Sequence, residues 1–196
     1  MRGVLILIWA MSSTVLISAQ TLPIVYTNLE DAVQANLSGE VVEILELHRE
    51  KLSELPEILR DFKQLKVLKL EKNKLTSLPL WVSELQSLEV LSVEKNRLES
   101  FPECLLLLPN LKELLLGDNL IDAIPLNIDT LQELEHLGLW GNVIRQFPAS
   151  LSDMPNLKTL DLLYNDMNYD EQSWLKELLP EVLIELSDPC TCTFDE

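Results

Sequence analysis

At 196 residues and 47% hydrophobic, the chain suits one compact domain with a continuous core and leaves no obvious room for a second. Its 15 basic and 32 acidic residues give a net charge of −17, which disfavours nonspecific attraction to nucleic acid or an anionic membrane surface. Five glycines and 6% aromatic residues exclude collagen-like and low-complexity sequences.

The first element in the chain is an export signal. Arg2 precedes an apolar run over residues 4–17 that only Ser12, Ser13 and Thr14 interrupt, and Ser18 and Ala19 place a cleavage point before Gln20. The run falls short of the roughly 20 residues that cross a bilayer, so residues 1–19 read as a signal peptide rather than a membrane anchor, with no stable membrane span after its removal. The mature chain is then secreted, periplasmic or held at the cell surface. Residues 20–41 read as an amino-terminal cap: Thr27 and Glu30 have capping-box spacing, and Leu29, Ala32, Val33 and Leu37 form a helical apolar stripe.

Residues 42–167 repeat with a period of 23. Asn73, Asn96, Asn119, Asn142 and Asn165 fall on it, and so do Pro56, Pro79, Pro102, Pro125 and Pro148. Alternation within LKVLKLEKN puts Leu68 and Leu70 on one face of a strand and Val67, Lys69 and Glu71 on the other, the period-two sign of a half-buried strand. After the asparagine the apolar spacing lengthens to three and four, and the proline opens a return segment with a short helical or 3₁₀ turn. One such unit cannot cover its own apolar face, whereas six stacked copies bury a continuous core. The asparagines are read as a structural ladder whose amides bond backbone groups left open where each strand turns away. An opening copy, VVEILELHREKLSELP, keeps the apolar positions but has Glu50 where the asparagine belongs.

The segments LKVLKLEKNKL, LEVLSVEKNRL, LKELLLGDNLI, LEHLGLWGNVI and LKTLDLLYNDM resemble the leucine-rich-repeat family and its pattern L-x-x-L-x-L-x-x-N-x-L. The L-P-x-x-L-x-x-L half that follows is similar to the 23-residue subtype of small exported bacterial repeat proteins and of intracellular scaffolds of the Ras-suppressor kind. The resemblance implies an α/β solenoid, a right-handed superhelix with a parallel concave sheet, short helical or 3₁₀ convex segments, and a cap at each end. The carboxy-terminal cap is placed at residues 168–189. There, residues 170–179 read as a helix with Trp174, Leu175, Leu178 and Leu179 apolar, Pro180 ends it, and residues 182–186 alternate like one more strand. Residues 190–196 form a tail. Cys104 reads as buried, and Cys190 and Cys192 as a reactive or intermolecular tail pair, since a bond between them would close a very small ring.

Function in a solenoid is sought on the sheet face that does not enter the core. In the first half of that face, Arg49, Lys72 and Lys95 form a basic column beside Lys69 and the acids Glu71 and Glu94. The expectation is a solvated face whose charges neutralise one another, with a dedicated anion site as the alternative. In the second half, Leu115, Trp140, Leu163 and Tyr164 stand among Gly117, Gly138 and Gly141. Trp140 is expected to lie over the gap at Gly117 and pack against Leu163, leaving a recess bordered by His136, Asp118 and Asp161, which makes this patch the candidate partner site. His48 and His136 sit four repeats apart, and no nucleophile motif, phosphate loop or metal cluster accompanies them, so no catalytic residue, metal or cofactor is assigned. The expected activity is binding of a protein or glycan, not of nucleic acid. A self-associating surface component of unspecified oligomeric state and an intracellular signalling scaffold are the alternatives.

Overall fold

A chain whose apolar pattern repeats every 23 residues satisfies each copy by laying it against the next, and the computed structural model, which describes residues 22–189, shows that stacking directly. Eight short parallel strands form one open sheet in chain order: β1 (Val25–Tyr26), β2 (Ile44–Glu46), β3 (Val67–Lys69), β4 (Val90–Ser92), β5 (Glu113–Leu115), β6 (His136–Gly138), β7 (Thr159–Asp161) and β8 (Leu183–Glu185). From β2 to β7 the register advances by 23 residues per strand, so Ile44, Val67, Val90, Glu113, His136 and Thr159 lie side by side. The last step, Thr159 to Leu183, is one residue longer. Leu45, Leu68, Leu91, Leu114, Leu137 and Leu160 form one fully buried column, and Leu47, Leu70, Val93, Leu116, Leu139 and Leu162 form the next.

The return segments contain the expected 3₁₀ turns, Glu57–Asp61, Leu80–Glu84, Glu103–Leu107, Ile128–Thr130 and Ala149–Asp153. Pro56, Pro79, Pro102 and Pro148 stand immediately before four of them, where a missing N–H breaks no bond. Burial pushes the Cys104 thiol up to about 11, which makes it an inert core residue.

Each asparagine of the ladder ties its own coil to the one before. In Asn119, Oδ1 accepts from Leu98 N–H at 3.0 Å, while Nδ2 donates to the carbonyls of Val93 at 3.0 Å and Leu116 at 2.9 Å. Asn73, Asn96, Asn142 and Asn165 repeat the arrangement. The absence of asparagine at Glu50 follows from the same geometry. The acceptor of a side chain there would face Leu29 N–H, which is the first turn of a helix and not an open corner.

Both ends carry a helix, with details that differ from the sequence reading. Helix α1 (Leu29–Leu37) begins at Asn28, not Thr27: the Asn28 side chain accepts from Glu30 and Asp31 N–H. Its core contacts are Ala32 and Ala35, while Leu37 is 71% exposed and drops out of the expected stripe. Strand β1, ahead of α1, went unread because two residues carry no periodicity. Helix α2 (Tyr169–Leu178) is opened by a capping box between Asn168 and Glu171, so the residue that replaces the proline column acts as a cap. Leu175 and Leu179 are buried, whereas Trp174 faces solvent. The signal-peptide reading of residues 1–19 and the tail cysteines Cys190 and Cys192 lie outside the described residues. Among the described residues, no helix is long and apolar enough to cross a membrane, and no grouping of side chains suits a metal ion.

Two outcomes follow from this packing. In urea denaturation, Asn119→Ala is expected to lose about 1–3 kcal/mol, because three backbone groups lose a buried partner, whereas Glu50→Asn stays within about 0.5 kcal/mol. On the convex surface, hydrogen bonds from Arg60 and Lys63 hold the Glu84 carboxyl down at about 2. Its depressed folded value means that its stabilising contribution is present above the ordinary carboxylate range and is lost as pH falls towards 2. A carboxyl-carbon NMR titration should show that midpoint and its return to the usual range in Arg60→Gln.

Candidate functional site

The solvent face of the sheet is a set of columns, each containing one residue per coil about 4.8 Å apart. At the edge where strands begin, one column reads Glu43, Lys66, Glu89, Lys112, Glu135 and Lys158. Lys66 bonds Glu43 at 2.5 Å, Lys112 bonds Glu89 at 2.8 Å, and Lys158 bonds Glu135. These contacts raise the Lys66 and Lys112 ammonium groups above their ordinary range and lower Glu135 below its own. Charge on this edge is therefore neutralised across neighbouring coils.

In the middle of the first half, Lys69 bonds Glu46 at 2.8 Å and lowers its carboxyl. His48 stands between two carboxylates, with Nε2 3.4 Å from Glu46 and Nδ1 2.6 Å from Glu71 Oε2. That Oε2 is buried without a directed hydrogen bond, so charge alone holds it when the imidazole is protonated. Ser92, expected to face solvent, is 1% exposed with its hydroxyl unsatisfied, flanked in register by Lys69 and Leu115.

The second half contains a reciprocal pair. Trp140 lies over Gly117 so closely that a Cβ there would meet the indole Nε1 at 2.1 Å, and Leu115 covers Gly138, where a Cβ would meet Cδ2 at 2.9 Å. Each glycine is thus the seat for the side chain of the neighbouring coil. The indole continues past Gly117, donates to Glu94 Oε1 at 2.6 Å, and has the Lys95 ammonium 5.4 Å from its ring centre. Trp140 therefore reaches back across two coils and links the halves that the sequence reading kept apart.

The expected recess is not formed in the way foreseen. Trp140 leans towards Glu94 and away from Leu163, because the open seat is on the amino-terminal side. His136 Nδ1 is 2.7 Å from Thr159 Oγ1, and Asp161 accepts from Leu163 N–H at 3.0 Å, so neither turns towards the indole. Gly141 opens no gap either. It belongs to a column of left-handed backbone, Arg49, Lys72, Lys95, Asp118, Gly141 and Tyr164, with φ between 54° and 64°. The N–H groups of the first five donate to the next coil's carbonyls, and Tyr164 N–H uses the Ser187 hydroxyl at 2.7 Å. Tyr164 is left 73% exposed.

The basic column does not neutralise Glu71 and Glu94 as expected. Those acids face His48 and Trp140, and among the described residues no carboxylate lies within ion-pair distance of Arg49, Lys72 or Lys95. The left-handed turn takes these three side chains out of the strand alternation that aligns the acids. The sequence reading also missed the column on the other side of the asparagines, Lys51, Lys74 and Arg97, continued by Leu120, Val143 and Asp166. These cations are exposed and equally unpaired, and reading every column at the 23-residue period would have found them.

The family model for a leucine-rich repeat region matches residues 26–188. A leucine-rich-repeat protein of Leptospira interrogans is 30% identical with a TM-score of 0.65, covering 74% of this chain and 36% of its own. TLR13, solved as a complex with ssRNA13, is 27% identical with a TM-score of 0.67, over 79% of this chain and 22% of its own. An internalin of Listeria monocytogenes has the same fold at 20% identity and a TM-score of 0.62, over 75% of this chain and 43% of its own. The chain thus spans about a third of the Leptospira protein's length. No curated protein sequence matches significantly.

The interlock is open to test. Gly117→Ala should displace the indole and break its bond to Glu94, seen as a shifted, faster-exchanging indole N–H resonance, with a loss of about 1–3 kcal/mol from overpacking. An unmoved resonance would refute the close seat.

Proposed function

The chain belongs to the leucine-rich-repeat family, and on that premise we propose that it is a non-catalytic binding module that engages a protein partner through the concave face of its sheet. The observation that carries this reading is the anchoring of Trp140. Its ring is seated on Gly117 and its N–H is held by Glu94, so a large aromatic is fixed on the solvent side of the sheet before any partner arrives. Preorganised aromatic groups lower the ordering cost of association and dominate interface energies. Tyr164, one coil further on, adds a second, exposed ring. A protein ligand suits this surface better than nucleic acid, because the chain carries a net charge of −17. Export of the mature chain is part of the same proposal and rests on the apolar run at residues 4–17.

Affinity capture with the purified protein as bait is the direct measurement. The Trp140→Ala/Tyr164→Ala variant should retain its cooperative unfolding and lose a specifically captured protein by about tenfold or more. Full capture by a folded double variant would reject the concave face as the binding surface. Sizing under non-reducing conditions separates a heterologous partner from self-association.

A further inference from the structure

We propose that the strand-end edge of the first three full coils is a docking ridge for a short acidic peptide segment that is followed by apolar residues. This rests on the reading of the chain as a protein-binding module and specifies the partner's chemistry. Arg49, Lys72 and Lys95 form one row and Lys51, Lys74 and Arg97 a second, on either side of the column that contains Asn73 and Asn96. All six are exposed. They are six of the 15 cationic residues of the chain, gathered on one edge of a protein whose net charge is −17.

Stability does not explain this placement. Cations of the strand-start edge each bond a glutamate of the preceding coil, and Arg60 and Lys63 both bond Glu84, whereas none of the six has a carboxylate within ion-pair distance. Arg49, Lys72, Lys95 and also Lys51 adopt φ values of 56–60°, a conformation that glycine, asparagine and aspartate accept far more readily. Of the first row, only Lys95 has a further contact, with the face of Trp140. Long cationic side chains are thus held on strained backbone with no intramolecular charge to satisfy, which leaves an external anion as their counterpart.

The continuation of the two columns defines what kind of anion. Past the third coil the rows become Asp118, Gly141 and Tyr164 on one side, and Leu120, Val143 and Asp166 on the other. The basic ridge spans about 10 Å, or three coils. A long uniform polyanion would run from it onto Asp118 and Asp166. Leu120 and Val143 are 53% and 43% exposed beside the exposed Tyr164, and they offer contact to aliphatic or aromatic groups. Adjacent carboxylates and apolar side chains occur together in a polypeptide, not in a nucleic acid or a sulfated glycan. An extended strand presents every second side chain to one surface about 6.6 Å apart, so a few acidic residues cover the ridge.

The test uses purified protein and a fluorescein-labelled peptide of about eight alternating glutamate and glycine residues followed by a short leucine-rich half. Fluorescence anisotropy should show binding that weakens with added salt, and the intact peptide should bind about tenfold more tightly than either half alone. The triple variant Arg49→Asn/Lys72→Asn/Lys95→Asn should lose about tenfold in affinity while its melting temperature holds or rises, because asparagine suits the left-handed corner. Unchanged affinity in that variant, or tighter binding of a polyuridine or heparin fragment of equal charge, would overturn the proposal. The two readings also fail separately. If Trp140→Ala abolishes partner capture while the triple variant captures fully, the ridge falls and the concave face stands; if the peptide binds the ridge but Trp140→Ala/Tyr164→Ala leaves capture intact, the reverse holds.

Discussion

The structure depends on one interaction repeated at every coil, the asparagine amide that reaches back to the preceding turn. A strand of three residues has too few ladder bonds to fix its own register, and the return segments are too short to form long helices. Each asparagine joins an N–H and a carbonyl of the previous coil to a carbonyl of its own. Those groups are buried, so each unmade bond costs about 1–3 kcal/mol against a typical net stability of about 5–15 kcal/mol. Leucine columns supply the driving force for stacking, but leucine is indifferent to a small slip. The amides set the step at one coil per 23 residues.

A fixed step makes the outer face a lattice, and that lattice explains how two glycines and two large side chains come to interlock. Leu115 and Trp140 belong to adjacent coils, and each lies over the glycine that its neighbour presents. With side chains at both glycine positions the residues would collide; with glycines alone the face would have a gap. The result is a rigid ring attached at one end to Glu94, so the acidic half and the aromatic half act as one surface. Ser92 is buried on this same outer face, which shows how fully neighbouring columns shield one another.

Most of the solenoid was legible in the sequence because its determinants are periodic. The asparagine and proline columns, the alternating strands and the helix before β8 all emerge from spacing alone. The site was less legible, since a residue's column says nothing about which neighbouring coil its side chain leans towards. Trp140 was placed correctly over Gly117 yet wrongly beside Leu163, because only the structure shows the indole directed to Glu94. Backbone handedness was equally hidden. Gly141 looked like a gap, but it occupies a left-handed position that its column imposes on arginine, lysine, aspartate and tyrosine as well. At the amino-terminal end Asn28 displaced Thr27 as the cap by one residue, a shift within the usual uncertainty of helix starts.

The two edges of the sheet then divide electrostatic work between them. The strand-start edge alternates glutamate and lysine from coil to coil and cancels its own field. The opposite edge gathers unpaired cations, so the negative charge of the molecule resides elsewhere on its surface. At physiological ionic strength a field is screened within about 8 Å, close to the ridge's own length of about 10 Å. A distant polyanion therefore encounters a net negative body, and only a group that comes within one screening length responds to the ridge. That condition favours a compact acidic segment carried by an otherwise neutral or basic protein, which approaches without repulsion and is oriented at the last step.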